Sequence, residues 1–185
     1  MEHNSNQNPT NPGFRKDDAY QTLTLINTWI GNIDTKISFA LALAGVLIGV
    51  IFSGGFPSAF QRITEVTNLA ELHGGEILAV ILVGALYCVS FLSVISFIWA
   101  IIARIKNPND SPSIFFFGTI GKMELQNYKD RANSITEQEL IEGLEEQIHT
   151  NSKICNQKAK WYNIGIKFLL GTVILWFVCM VFRMI

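Results

Sequence analysis

The chain has 185 residues, 49% of them apolar and 16% charged, with a formal net charge of -1 and a mean hydropathy of +0.30. That balance suits a membrane protein better than a soluble domain. It leaves no basic footprint for a nucleic-acid-binding surface, so nucleic acid is not an expected partner.

Residues 1–16 are rich in Asn, Pro and Ser and read as a disordered tail. From Asp17 the pattern changes. Tyr20, Leu23, Asn27, Ile30, Asp34 and Ile37 step by 3, 4, 3, 4, 3, the spacing of a helical seam. This segment, 17–36, runs without proline into "ISFALALAGVLIGVIFSGGF", residues 37–56, which carries no charge. A spanning helix needs about 20 apolar residues to cross about 30 Å of hydrocarbon. The run starts too far along the chain for a signal peptide, and a second span follows it. Ala42, Gly45 and Gly49 are small residues that suit close helix approach.

Residues 57–76 form a loop between spans. Phe60, Ile63, Val66 and Leu69 recur there at helical spacing, which fits a short amphipathic helix on the membrane surface or an ordered loop. The second span, 77–102, reads "ILAVILVGALYCVSFLSVISFIWAII" and is also uncharged. Asn107 to Pro112 is a stop signal after it.

Within 103–163, "KMELQNYKDRA" reads as a short helix. "SITEQEL" then offers Ser134 with Glu137, or Thr136 with Glu139, as a capping box. No proline follows to the end of the chain. Ile141, Leu144, Ile148, Asn151, Cys155, Lys158 and Tyr162 step by 3, 4, 3, 4, 3, 4 into a third span, 164–183. Lys167 and Arg183 stand near the ends of the third apolar run, where they can snorkel to the interfaces. For each run the alternative is a buried core helix. The fold class expected is an all-α membrane protein of three transmembrane helices, with a cytoplasmic helical bundle made by extensions of the first and third spans.

Lysine and arginine favour the cytoplasmic side. Arg15, Lys16 and Lys36 precede the first span, and Arg62 alone lies between the first and second. Arg104, Lys106, Lys122, Lys129, Arg131, Lys153, Lys158 and Lys160 lie between the second and third. The N-terminus and 103–163 are therefore expected inside, and 57–76 and the C-terminus outside. Cys88, Cys155 and Cys179 fall in spans or on the cytoplasmic side, which does not favour a disulfide. His3, His73 and His149 are scattered, no metal-ligand spacing occurs, and no catalytic motif is present, so neither a metal, a cofactor nor an enzyme is expected.

Both extensions run toward the membrane and are therefore parallel. Asp34 and Lys158 lie at similar heights from the spans, with Asn27 and Asn151 one layer further out. Asp34 and Lys158 are expected to face each other, because a charge in an apolar seam needs a partner. Such polar residues either fix register or line a pocket for a small ligand. Lys36 is the alternative partner, off the seam.

Three stretches together resemble the Pycsar effector transmembrane family. "WIGNIDTKISFAL" resembles the entry to that family's first membrane helix, where an Asp is followed two residues later by a Lys, here Asp34 and Lys36. Ile37 stands where the pattern has a small residue. "PSIFFFGTIGKMELQNY" resembles the segment in which an aromatic–Gly pair, here Phe117 and Gly118, follows the second span, with Tyr128 downstream. "ELIEGLEEQIHTNSKICNQKAKWYNIG" resembles the helix leading into the last span, through Gln147, Ile148, Asn151, Ile154, Lys158 and Tyr162.

The resemblance implies an effector of bacterial anti-phage defence. Its ligand would be a cyclic nucleotide made by a partner cyclase, typically a cyclic pyrimidine monophosphate (cUMP or cCMP). Binding on the cytoplasmic side would lead to impairment of the inner membrane and arrest of the infected cell. The partners implied are that nucleotide, the lipid bilayer and further copies of the chain. The candidate ligand residues are Asp34, Lys36, Phe116, Phe117, Gln147, Asn151 and Lys158. A phenylalanine of the 115–117 run would stack on the base, Lys158 or Lys36 would meet the phosphate, and Asn151 and Gln147 would reach base edges or ribose hydroxyls. The alternative for the phenylalanines is packing at headgroup level or beneath the helices. Two other functions compete. One is a membrane scaffold whose helical extensions bind a partner. The other is a small transporter, which should show charged or broken helices at the midplane, where only glycines and Ser90, Ser93 and Ser96 occur.

Overall fold

A computed structural model describes residues 13–55, 57–65, 73–102 and 114–185, without the side chains of 62–65 and Phe117. The expected tail up to Pro12, the stop signal at Asn107–Pro112, and Arg62, Ile63, Val66, Leu69, Arg104 and Lys106 as side chains lie outside the described residues. Among the described residues six helices follow one another: α1 (Lys16–Ser53), α2 (Ser58–Glu65), α3 (Gly74–Ile102), α4 (Phe117–Ile120), α5 (Leu125–Ser134) and α6 (Glu137–Val181). The chain divides into two compact units. One takes Met1–Thr28 and Ile105–Lys153; the other takes Trp29–Arg104 and Ile154–Ile185.

In the first unit, local chemistry sets the helix starts. Asp17 and Asp18 stand in the first turn of α1, where negative charge complements the helix dipole. The Arg15 amide donates to the Asp18 carboxylate at 3.1 Å. Of the two capping boxes open in the sequence, Thr136 with Glu139 is the one formed. The Thr136 amide and hydroxyl both donate to Glu139 Oε2 at 2.8 Å, and the Glu139 amide donates back to the Thr136 hydroxyl at 3.3 Å. These bonds satisfy donors that the first turn of α6 would otherwise leave orphaned. They also hold the Glu139 carboxyl below its ordinary range, first through the Thr136 backbone amide, then its hydroxyl, with Arg131 adding to the effect.

Ala19, Ile26 and Leu144 supply the buried apolar positions of this unit, with Gln147 and Thr150 beside them on α6. The α6 seam holds at Leu144, but further along the buried positions are Gln147 and Thr150, each one residue ahead of the half-buried Ile148 and Asn151. The α1 seam needs correction too. Ala19 and Ile26 are its buried positions, one residue ahead of Tyr20 and Asn27, and Tyr20 is 41% exposed. An α-helix drifts against a strict seven-residue repeat, so neighbouring positions exchange the inward role.

In the second unit α1, α3 and α6 meet. Ile37, Ala40 and Ala44 from α1, Phe97 and Ala100 from α3, and Leu169 from α6 form one buried cluster. Ile51, Val83, Leu86 and Cys179 form another, with Phe60 of α2 and Tyr87 packed against it. The Phe52 and Tyr87 rings stack at 4.6 Å. Gly165 permits the closest approach: a Cβ there would lie 2.6 Å from the Phe97 ring, and Ser93 Oγ donates to its carbonyl at 3.2 Å. The other buried hydroxyls bond within their own helices, Ser90 to Leu86, Ser96 to Leu92 and Thr172 to Phe168. Among the described residues, these buried hydroxyls thus find their partners within the protein, as hydrocarbon requires.

The helices α1, α3 and α6 are each long and apolar enough to cross a membrane. Their outward faces carry Phe39, Val46, Ile81, Phe91, Ile174 and Phe177, all well exposed, a surface that lipid accepts and water does not. The third apolar run is helical to Val181. There Arg183 adopts a left-handed φ of 53°. The Met184 amide bonds the Cys179 carbonyl at 2.9 Å and the Arg183 amide bonds Met180 at 3.1 Å, a Schellman stop that satisfies the last carbonyls without a glycine.

Candidate functional site

Lys158 is 7% exposed. Its Nζ lies 2.6 Å from Asp34 Oδ1 and donates to the Ile101 carbonyl at 3.4 Å. Ile101 lies in the last described turn of α3. One ammonium therefore ties α1, α3 and α6 together, neutralised by a carboxylate. The Asp34 side chain remains 46% exposed. The carboxylate meets water while the ammonium does not. A cation this buried is tolerable only with its partner in place; removing one member of such a pair costs about 3–5 kcal/mol. The pairing of Asp34 with Lys158 is the one inferred from the two seams. Lys36 is exposed and forms no ion pair among the described residues, because two residues along a helix is more than half a turn away from Asp34.

The first unit holds the other polar pair. Asn151 Nδ2 donates to Asn27 Oδ1 at 2.8 Å. Gln147, one turn earlier on α6, is 8% exposed. Phe115 lies on α6 itself, so near Gly143 that a Cβ there would be 2.6 Å from its ring, and the Phe116 ring lies equally close to Gly118. Both rings are half-buried. The Phe117 side chain is outside the described residues; its backbone opens α4.

Of the seven candidate residues, Phe116, Phe117, Gln147 and Asn151 thus belong to the first unit, and Asp34, Lys36 and Lys158 to the second. Two partners escaped the sequence. The Ile101 carbonyl has no side-chain signature at all. Gly143 has one: an isolated glycine in the strongly helical "ELIEGLEEQ" marks a close approach. A hollow of about 570 Å³ lies along α5, lined by Met123, Asn127, Asp130, Arg131 and Ser134. Its lining comes entirely from one helix and the turn before it, so no facing element encloses a ligand there.

Residues 18–184 match the family model described as the Pycsar effector protein domain, PycTM. The Pycsar effector protein GmPycTM of Gulbenkiania mobilis is 31% identical over 189 residues, covering 94% of this chain and 95% of that relative. No solved structure matches the chain.

Proposed function

We infer the function from one premise: the chain belongs to the Pycsar effector family, membrane proteins of antiviral defence. Its signal is a cyclic nucleotide from a partner cyclase, and we propose a cyclic pyrimidine monophosphate, cUMP or cCMP. The nucleotide binds on the cytoplasmic side. The protein, as a homo-oligomer in the inner membrane, then impairs membrane integrity and stops the infected cell. The observation that carries this reading is the extent of the match, residues 18–184. It takes in all three apolar helices and both groups of candidate residues, so signal reception and membrane action lie within one matched domain.

The orientation follows from the lysine and arginine distribution, with the N-terminus and the segment between the second and third spans in the cytoplasm. The Asn27–Asn151 bond supports a helical bundle made by the extensions of α1 and α6. Two groups are candidates for ligand contact, each within its own unit. Gln147, Asn151, Phe116 and Phe117 offer amides and rings suited to a base and ribose. Lys158 and Lys36 offer cations suited to a phosphodiester, beside the Asp34 carboxylate that pairs with Lys158.

The test is thermal unfolding of the detergent-purified protein against a panel of cyclic mononucleotides and cyclic dinucleotides. A ligand at 100 times its Kd stabilises the folded state by about 2.7 kcal/mol, a shift of several degrees for a chain of this length. A rise with a cyclic pyrimidine monophosphate alone is expected. No rise with any member would favour the scaffold alternative, in which the helical extensions bind a protein partner.

A further inference from the structure

Helix α1 is held in the second unit by very little polar chemistry. Among the described residues, Asp34 makes its one polar side-chain contact with another helix of that unit. The hydroxyls of Thr35, Ser38 and Ser53 all bond back to α1's own carbonyls. Its packing against α3 and α6 is apolar throughout: Ile37, Ala40 and Ala44 are buried in one cluster with Ile33, Leu41 and Leu47 partly buried against it, and Ile51 is buried in the other. In lipid such apolar contact lacks a hydrophobic driving force, because the tails are as apolar as the helix. The ion pair therefore weighs heavily in where α1 sits.

That pair is also asymmetric. Lys158 is 7% exposed and cannot stay there uncompensated. Asp34 is 46% exposed at its side chain, so a solute anion can reach its side of the pair.

We propose that Asp34 and Lys158 form a clasp that holds α1 against α6 in the quiescent protein, and that the nucleotide's phosphodiester opens it by taking Asp34's place on Lys158. The trigger rests on the proposed function; the clasp does not. Asp34 stands in for the anion until the anion arrives. The phosphate gains Lys158 only where Asp34 has let go, so it binds the open arrangement better than the closed one, which is what a population shift requires. With its polar link gone, α1 is free to leave the cluster of Ile37, Ala40 and Ala44, and the membrane-spanning packing loosens.

The experiment uses the full chain reconstituted in vesicles of phosphatidylethanolamine and phosphatidylglycerol, with dye release and nucleotide affinity as readouts and cUMP and cCMP as probes. Asp34→Asn keeps the shape and removes the charge. Its dye release without nucleotide should exceed the wild type's by about tenfold or more, and its nucleotide affinity should rise by a similar factor, since each 1.4 kcal/mol of lost competition is roughly tenfold. Asp34→Glu keeps a carboxylate within reach of Lys158 and should stay quiet. If Asp34→Asn fails to fold, Asp34→Ser decides in its place: a folded variant that leaks without nucleotide supports the clasp, and a quiet one overturns it. An Asp34→Asn protein as quiet as wild type, with unchanged affinity, overturns the clasp while wild-type nucleotide binding leaves the receptor reading standing. A wild type that binds neither nucleotide, beside a leaking Asp34→Asn, overturns the phosphodiester trigger and the receptor reading together and leaves the clasp.

Discussion

The Phe115 ring occupies the space that a side chain at Gly143 would need, with only 2.6 Å between the ring and a Cβ built there. An aromatic from the segment preceding α4 is thereby pressed onto the backbone of α6. Phe115 packs on a helix, the alternative that stood beside base stacking in the sequence.

Gly143→Ala should therefore destabilise the wild-type background. Alanine gains about 1 kcal/mol in helix propensity over glycine, but overpacking costs about 1–3 kcal/mol, and the Phe115 ring has to move. In a Phe115→Ala background the clash is gone and the same substitution should raise stability by about 1 kcal/mol. A double-mutant cycle on unfolding free energy, showing the sign change, is the measurement.

Removing the Thr136 cap should cost the start of α6. Thr136→Ala is expected to lose about 1 kcal/mol, seen as a lower melting temperature and faster amide exchange in the first turn. The cap is also pH-dependent. Glu139 has a lowered pKa in the folded protein, so its contribution is complete above the unfolded carboxyl pKa of about 4.3 and disappears as pH falls through the lower folded value. The stability gap between wild type and Glu139→Gln should therefore be steady near neutrality and close in acid.

The Asn27–Asn151 bond is partly open to water, so its coupling should fall near the lower end of the usual ~0.5–1.5 kcal/mol. Alanine substitutions at each position and at both give that coupling directly. If Asn151 also reads the nucleotide, Asn151→Ala removes the nucleotide-induced rise in melting temperature, whereas Glu145→Ala, at an exposed position on the same helix, leaves it intact.

The proposed orientation has its own test. In a cysteine-free background, His73→Cys and Glu145→Cys place single thiols at exposed positions. A membrane-impermeant maleimide applied to cells with a permeabilised outer envelope should label the first and spare the second until the inner membrane is broken. The opposite pattern would invert the topology.

Much of the architecture was legible because its signals are local. Uncharged runs of membrane length are visible in composition, and the three long apolar helices lie on them. The absence of proline after Ser134 foretold that α6 would be continuous, and it runs unbroken for 45 residues. The capping box was narrowed to two choices, since a three-residue spacing is all that motif needs. The Tyr20 seam position was misplaced by one residue because a heptad template ignores the drift of a 3.6-residue helix.

The ion pair of Asp34 and Lys158 was within reach of the sequence too, since a charge in an apolar seam demands an opposite charge at matching height. Its third partner was not. The Ile101 carbonyl is a backbone group, identical in kind at every residue, and only the packing of α3 against α6 selects it. The same holds for Phe97 over Gly165 and Phe115 over Gly143. By itself the sequence determined which segments are helical, which are fit for lipid, and which charges must be matched. Tertiary structure decided which helix surfaces touch, because close packing depends on the shapes of residues far apart in the chain, and periodicity along one helix carries no record of the surface that meets it.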